Sequence, residues 1–307
     1  MVQQQGLTLS VLEQWAINCN PAIAAAEANI RGLRAKYVQE GLPPNPFVGI
    51  NGEDIFDEGG SGRFGILFGR KEIQGNKLRL SQNVVAAEVE VANQRLLEIA
   101  ARALSDVRLR YYRVLVAQEK LAVAQRLIEI GEKVLEKSEA LFEADEIART
   151  AVLQAELELE TAKLQQERID NQLRAAKQQL ATIICENELP RDDVAGSIDD
   201  FQVADYELAY DQLLADSPEL AALFADVCRA RRKLDREWVE PVPDISWQGT
   251  LQYDTISDSF VTGFQIQMPL PKYDQNQGNI ARARQEIVVA ERTAETKAIQ
   301  LLSLIHI

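Results

Sequence analysis

The sequence predicts a mainly α protein with a small β part, in which one plan of helix, proline corner, β-hairpin and long helix occurs twice. Three observations predict it. Prolines recur at matched spacing in two distant segments, each followed by alternating sequence, two runs of about ten residues in the second copy and a weaker one in the first. Between the hairpins, two long runs keep a sustained 3.5-residue apolar repeat.

The duplication is visible without gaps. When residues 20–50 are set beneath 217–247, Pro21 falls on Pro218, Pro44 on Pro241 and Pro46 on Pro243, an offset of 197 each time (218−21, 241−44, 243−46). Further on, NKLRLSQNVVAAE (76–88) matches NIARARQEIVVAE (279–291) at an offset of 203 (279−76). Proline lacks a backbone donor and drives the preceding residue out of the helical region. The corners Pro44/Pro46 and Pro241/Pro243 are therefore expected to end a helix and begin extended chain.

The chain divides accordingly. A first repeat covers 7–190, with a β-hairpin at about 47–70 and a helical hairpin at about 75–188; a polar linker covers 191–206. A second repeat covers 207–301, with a hairpin at about 244–270, and is cut short near the start of its long helix. The ending LSLIHI (302–307) resembles the translation of a transposon-type sequencing adapter and is expected to be non-native; it holds the single histidine, His306.

After the second corner, Ile245, Trp247, Gly249, Leu251 and Tyr253 alternate with Ser246, Gln248, Thr250, Gln252 and Asp254. Phe260, Thr262, Phe264, Ile266 and Met268 then share a face opposite Gly263, Gln265 and Gln267, after the turn DTISDS. In the first copy Phe64, Ile66 and Phe68 alternate with Gly65, Leu67 and Gly69, after the Gly-rich DEGGSG. Those glycines read as a β-turn and not as a phosphate cradle, because no Gly-Lys-Ser/Thr follows.

The helical bulk lies between the hairpins. Ala100, Leu104, Val107, Tyr111, Val114, Gln118, Leu121, Gln125 and Ile128 keep 4-3 spacing. Ala155, Leu159, Ala162, Gln166, Ile169, Leu173, Ala176, Leu180 and Ile183 repeat it on the return, which indicates coiled-coil packing. Val89, Leu96, Ile99 and Ala103 suggest a second contact face. A continuous helix from Lys77 to Phe142 would run on the order of 100 Å. The reversal is expected in FEADEIARTA (142–151), and Leu189-Pro190 is expected to end the return helix.

Composition narrows the function. Net charge is −14, from 47 acidic and 33 basic residues, which repels nucleic acid. Cys19, Cys185 and Cys228 lack metal-site or framework spacing and read as small buried thiols; Glu13 and Asn18 ahead of Cys19 form no export segment, so no lipidation is read there. Without a native histidine, Ser-His-Asp and Cys-His constellations are excluded, and carboxylate runs such as AELELETA (155–162) lie on a solvated helical face. No enzyme, no cofactor and no metal site are expected. The acidic balance reads as solubility of an exposed stalk in preference to a cation-selective field.

Four strands of about outer-membrane length cannot sit in lipid as an open sheet, because hydrocarbon does not tolerate unpaired edges. Taken alone, the alternation fits two structures equally: sectors of a barrel completed by other copies, or a soluble sheet capping a coiled-coil stalk.

LTLSVLEQWAINCNPAIAAAEANI, LPPNPFVGI, EIQGNKLRLSQNVVAAEVE and MPLPKYDQNQGNIARARQEI resemble the TolC-like outer-membrane efflux proteins across about 7–301. The last segment resembles most the branch serving cobalt, zinc, cadmium and related cations. The resemblance implies a TolC-like α-helical barrel with four transmembrane β-strands per chain in a trimeric barrel. It also implies a homotrimer in the outer membrane with a periplasmic tunnel, whose partners are membrane lipid, a periplasmic adaptor and an inner-membrane pump. Its implied role is a passive conduit in heavy-metal resistance, reached through a secretory signal that MVQQQGLTLS does not carry. An adaptor-contact tip is then implied at Phe142, Asp145, Glu146, Ile147 and Arg149. There the sequence departs from the family pattern, with Asp145 near the usual glycine; Asn76 likewise replaces one of a common glycine pair. A channel for drug or protein export, and a soluble coiled-coil scaffold or periplasmic adaptor, are the alternatives.

Overall fold

The computed structural model describes residues 7–53, 62–189, 194–198 and 215–306. Its helices are α1 (Leu9–Cys19), α2 (Pro21–Glu40), α3 (Lys77–Glu143), α4 (Arg149–Ile183), α5 (Pro218–Val239) and α6 (Gln277–His306). Its strands are β1 (Phe47–Glu53), β2 (Arg63–Glu72), β3 (Ile245–Asp254) and β4 (Ser259–Gln267). The turn between β1 and β2, Pro190 and most of the 191–206 linker lie outside the described residues.

The helices start where the sequence offers caps. Asn20 Oδ1 accepts from the Ala22 N–H at 2.8 Å with Pro21 in the first helical position, and Ser217 Oγ accepts from the Leu220 N–H at 3.4 Å ahead of Pro218. A proline there loses nothing, since that N–H has no intrahelical partner. Both repeats thus open with a polar cap and a proline. Both close in the expected corners: Pro44 and Pro46 stand between α2 and β1, Pro241 and Pro243 between α5 and β3.

The duplication extends to a cross-helix ion pair. Lys36 binds Glu88 at 2.9 Å, and Lys233 binds Glu286 at 2.7 Å, offsets of 197 (233−36) and 198 (286−88). Burial supports both offsets: Val85 and Ala92 match the buried Ala283 and Ala290 at 198 (283−85, 290−92), and Lys77 and Val91 match the buried Ile280 and Ala294 at 203 (280−77, 294−91).

The chain forms two compact units. One holds α1, the first turns of α2, α3 from Glu98 onward and α4; the other holds the rest of α2, α3 up to Leu97, the sheet, α5 and α6. The first unit is cored by Leu12, Ala16, Val107, Tyr111, Val114, Leu173, Leu180 and Ile184. Val107, Tyr111, Val114, Leu173 and Leu180 belong to the predicted seam, with Ala155, Leu159 and Ile169 also buried and Gln125 the member left facing solvent, while Leu12, Ala16 and Ile184 join the core from outside it. The second unit has a smaller cluster of Val227, Ala230 and Ala290.

Three expectations change. The return helix ends at Ile183, ahead of Leu189-Pro190, because Cys185 turns left-handed (φ 59°) and closes a Schellman cap. There the Glu186 N–H donates to Ala181 O at 3.0 Å and the Cys185 N–H to Thr182 O at 3.3 Å. Cys19 and Cys185 are not buried thiols but a disulfide, with Cα atoms 6.1 Å apart, and Cys228 is free and exposed. The two bonded residues end α1 and α4, and chain folding brings those ends together across 166 positions that carry no spacing signal. The linker, finally, is not wholly solvated: Val194 is buried and bridges to Leu7.

Candidate functional site

The four strands make one antiparallel sheet in the order β1-β2-β3-β4, so β1 and β4 are its edges. The register sorts the side chains into two unlike faces. Ile50, Ile66 and Leu251 stand in one cross-strand row, Phe64, Tyr253 and Phe260 in another, and Val48, Phe68, Gly249 and Phe264 in a third. That face is mostly apolar, with Thr262 in the Leu251 row and Arg70 and Glu72 toward the helices, and lies open: Ile50 is 89% exposed, Val48 77% and Phe264 72%. The opposite face carries Asn51, Gly65, Gln252 and Val261, then Gly49, Leu67, Thr250 and Gly263, then Phe47, Gly69, Gln248 and Gln265, with the Gln248 amide donating to Gln265 across the strands at 2.8 Å. At its turn end Arg63 pairs with Asp254 at 3.3 Å.

A water-soluble sheet buries its apolar face against a second layer. This one exposes it, a contiguous patch that marks an interaction surface. Aromatic pairs close the patch at both ends. Tyr253 and Phe260 meet edge-on at 5.4 Å beside the β3–β4 turn, and Phe68 and Trp247 at 6.4 Å toward the helices. An apolar band between two aromatic rows is the layout of strands that cross a bilayer.

A Cβ built on Gly65 would strike the Leu251 carbonyl oxygen and the Gln252 backbone of β3, which leaves no room for any larger residue. Glycine there lets β2 and β3 lean together on the face lined by amides and hydroxyls.

A charged knot fixes the sheet to α3. Asp244, between Pro243 and β3, binds Lys77 at 2.9 Å and Lys71 at 3.0 Å, and accepts from the Gln74 N–H at 3.1 Å. Lys77 is the first residue of α3 and its side chain is 6% exposed. Burial raises the Asp244 carboxyl, but Lys77, the Gln74 amide and Lys71 outweigh it and hold the group down at about 2. Gly75 (φ 68°) and Asn76 (φ 59°) turn the chain left-handed just before Lys77. The Asn76 substitution noted in the sequence is tolerated because asparagine visits that region more readily than most residues.

At the far end of the helical hairpin, Phe142, Asp145, Glu146, Ile147 and Arg149 all fall on the reversal between α3 and α4. Phe142, Asp145, Glu146 and Arg149 are exposed and Ile147 half-buried. Asp145 has φ 60° and stands where a glycine is favoured; the Glu146 N–H donates to Leu141 O at 2.9 Å and the Asp145 N–H to Phe142 O at 3.0 Å. Asp145 therefore does the glycine's work in a Schellman turn. Pro44, Pro46, Pro241 and Pro243 act on backbone direction and bring no reactive group together.

Sequence reasoning missed a second stripe on the hairpin. Val116, Val123, Leu127, Ile130, Val134 and Leu141 are exposed on α3, as are Leu153, Leu157 and Leu164 on α4. Their steps of seven, four and three were legible. Among the described residues no helix is long and apolar enough to cross a membrane, and no group of His, Cys, Asp and Glu could hold a metal ion.

No protein-family model and no curated protein matches the chain. Solved structures do. The outer-membrane channel OprN matches with a TM-score of 0.73 and 16% identity, over 95% of this chain and 71% of that one. CusC, described by its transmembrane channel formation, matches at 0.71 with 15% identity, over 94% and 73%. The open state of the Neisseria gonorrhoeae MtrE outer-membrane channel matches at 0.69 with 20% identity, over 96% and 72%. The fold is that of the TolC-like channels.

Proposed function

We propose that the chain is the outer-membrane channel subunit of a tripartite efflux system and acts as a passive conduit for heavy-metal cations. The observation that carries the channel reading is the sheet: an exposed, mostly apolar face bounded by aromatic pairs, a more polar opposite face, and, among the described residues, two edge strands without a further partner strand. Lipid tolerates such a sheet only when β1 and β4 pair with strands of other copies. Three copies would supply twelve strands, above the smallest single-chain barrels of about eight. The polar face then lines the passage, and the exposed stripes on α3 and α4 supply seams for lateral helical neighbours.

The solved channels that share the fold support this reading. Cation cargo rests on the resemblance of MPLPKYDQNQGNIARARQEI to the cobalt–zinc–cadmium branch. The partners follow from the same reading: a periplasmic adaptor at the tip formed by Phe142, Asp145, Glu146, Ile147 and Arg149, and an inner-membrane pump behind it. Transport needs no chemistry from this chain; the helical tips open by loosening coiled-coil contacts.

The test is expression with an export signal, followed by membrane fractionation and electrophoresis before and after heating. The expected product is an outer-membrane oligomer that heat converts to monomer. A soluble monomer with Trp247 in water would overturn the reading. For cargo, cells lacking their own efflux channel are challenged with zinc, cobalt and cadmium salts and with a panel of drugs. Restored tolerance to drugs alone would replace cations with organic cargo.

A further inference from the structure

Helix α1 is held at both ends by separate devices, at its start by the segment that follows the helical hairpin and at its end by the turn that closes α4. At its start Leu7 bridges to Val194, with the Ala195 N–H donating to Leu7 O at 3.1 Å. At its end Cys19, its last residue, is bonded to Cys185. Between these points Leu12 and Ala16 are fully buried in the cluster of Val107, Val114 and Leu180. Eleven residues are too few for a helix to be stable alone in water, so α1 depends on this docking. Cys185 also occupies the left-handed cap position of α4, where glycine would be easier. A cysteine there gives up that ease and places a sulfur beside the end of α1.

We propose that Cys19 and Cys185 are an oxidation-dependent latch: disulfide formation locks α1 onto the open end of the α3–α4 hairpin, and this unit matures where a disulfide-class oxidant is available. The inference goes beyond the channel reading and does not rest on it. In the step, the Cys185 thiol loses its proton and its thiolate attacks the oxidant's disulfide, expelling one thiolate and leaving a mixed disulfide on Cys185. The Cys19 thiolate then attacks Cys185 Sγ and expels the second thiolate. Two electrons pass from the cysteine pair to the oxidant, which leaves as two thiols after taking up the two protons. The bond closes a loop of 166 positions, so it removes much conformational freedom from the unfolded chain. Such bonds persist in the periplasm and outside cells and are rare in the cytosol. Cys228, free and exposed, is a built-in reference thiol.

The test uses the full chain folded with reduced and oxidised glutathione. Thiol titration in denaturant is expected to find one thiol per chain, on Cys228, and three after phosphine reduction. Hydrogen exchange of the α1 amides is expected to speed up at least tenfold on reduction, while that of β2 and β3 stays unchanged. The C19S/C185S double variant should exchange like the reduced chain; should it not fold, reduction of the folded native chain carries the same readout. Three thiols in the oxidised sample, a bond to Cys228, or α1 exchange indifferent to reduction would overturn the latch. None of these readouts involves a membrane, so the latch and the channel reading fail separately.

Discussion

Lys77 Nζ lies 2.9 Å from Asp244 Oδ1, and each side chain is mostly removed from water, at 6% and 13% exposure. The pair joins the first residue of the longest helix to the corner that launches β3, so it sets the angle at which sheet and helix meet. Asp244→Asn leaves the Lys77 ammonium buried without its counter-charge, and we expect a loss of about 2–3 kcal/mol in detergent-solubilised protein at neutral pH. Lys71→Met, at a half-exposed ammonium, should cost well under half of that.

The same pair gives a pH dependence. The Asp244 carboxyl is lowered from 3.8 to about 2, so its contribution to stability is complete above pH 4. It is lost as pH falls through about 2. Melting of the native chain and of Asp244→Asn, followed from pH 6 to pH 2, should therefore converge at the acid end. A gap that persists unchanged to pH 2 would mean that the carboxylate's charge is not what stabilises the corner.

The two faces of the sheet predict opposite responses to one substitution. Leu251→Arg places a cation in the row of Ile50 and Ile66, between the two aromatic pairs, and should cost about 2–4 kcal/mol. Gln265→Arg, on the polar face, should leave membrane assembly intact. The amount of oligomer recovered from outer membranes measures both. Equal recovery would remove the distinction between the faces.

Much of this was legible in the residues. Alternation from Ile245 to Tyr253 and from Phe260 to Met268 gave both strands and both faces, because a period of two admits one assignment. Tyr111, Val114, Leu173 and Leu180 gave the seam for the same reason at a period of 3.5. What stayed hidden depends on chain reversal. The Cys19–Cys185 bond and the Asp244–Lys77 pair join residues 166 and 167 positions apart, and no local pattern encodes such a meeting. The end of α4 was misplaced at Pro190 because a left-handed cysteine gives no signal, whereas proline does. The tip fell between: its place was readable, but the conformation of Asp145 was not.

That conformation is testable. Asp145→Gly removes a Cβ from a left-handed turn, yet frees the unfolded chain, so a net gain of about 0.5 kcal/mol is expected. Asp145→Val should lose about 1–2 kcal/mol, since a branched Cβ crowds the carbonyl at positive φ. Urea denaturation of the helical signal reads both. Valine tolerated as well as glycine would contradict the Schellman turn at this tip.

The exposed stripe of α3 allows folding of the hairpin to be separated from its assembly. Leu127 and Ile130 flank the seam that holds α3 to α4 and line an open groove beside Ala155 and Ala162, outside the buried row of Val107 and Val114. The double variant Leu127→Glu/Ile130→Glu should keep the helical content of the native chain, since both positions are already exposed in the subunit. It should nonetheless lower the yield of heat-dissociable oligomer severalfold, because two carboxylates cannot enter an apolar coiled-coil seam without desolvation. Seam variants such as Leu159→Glu reverse the pattern: helicity falls first, and assembly with it. If the Leu127→Glu/Ile130→Glu chain assembled as well as the native one, the stripe would face water in the finished particle, and its spacing would need another cause.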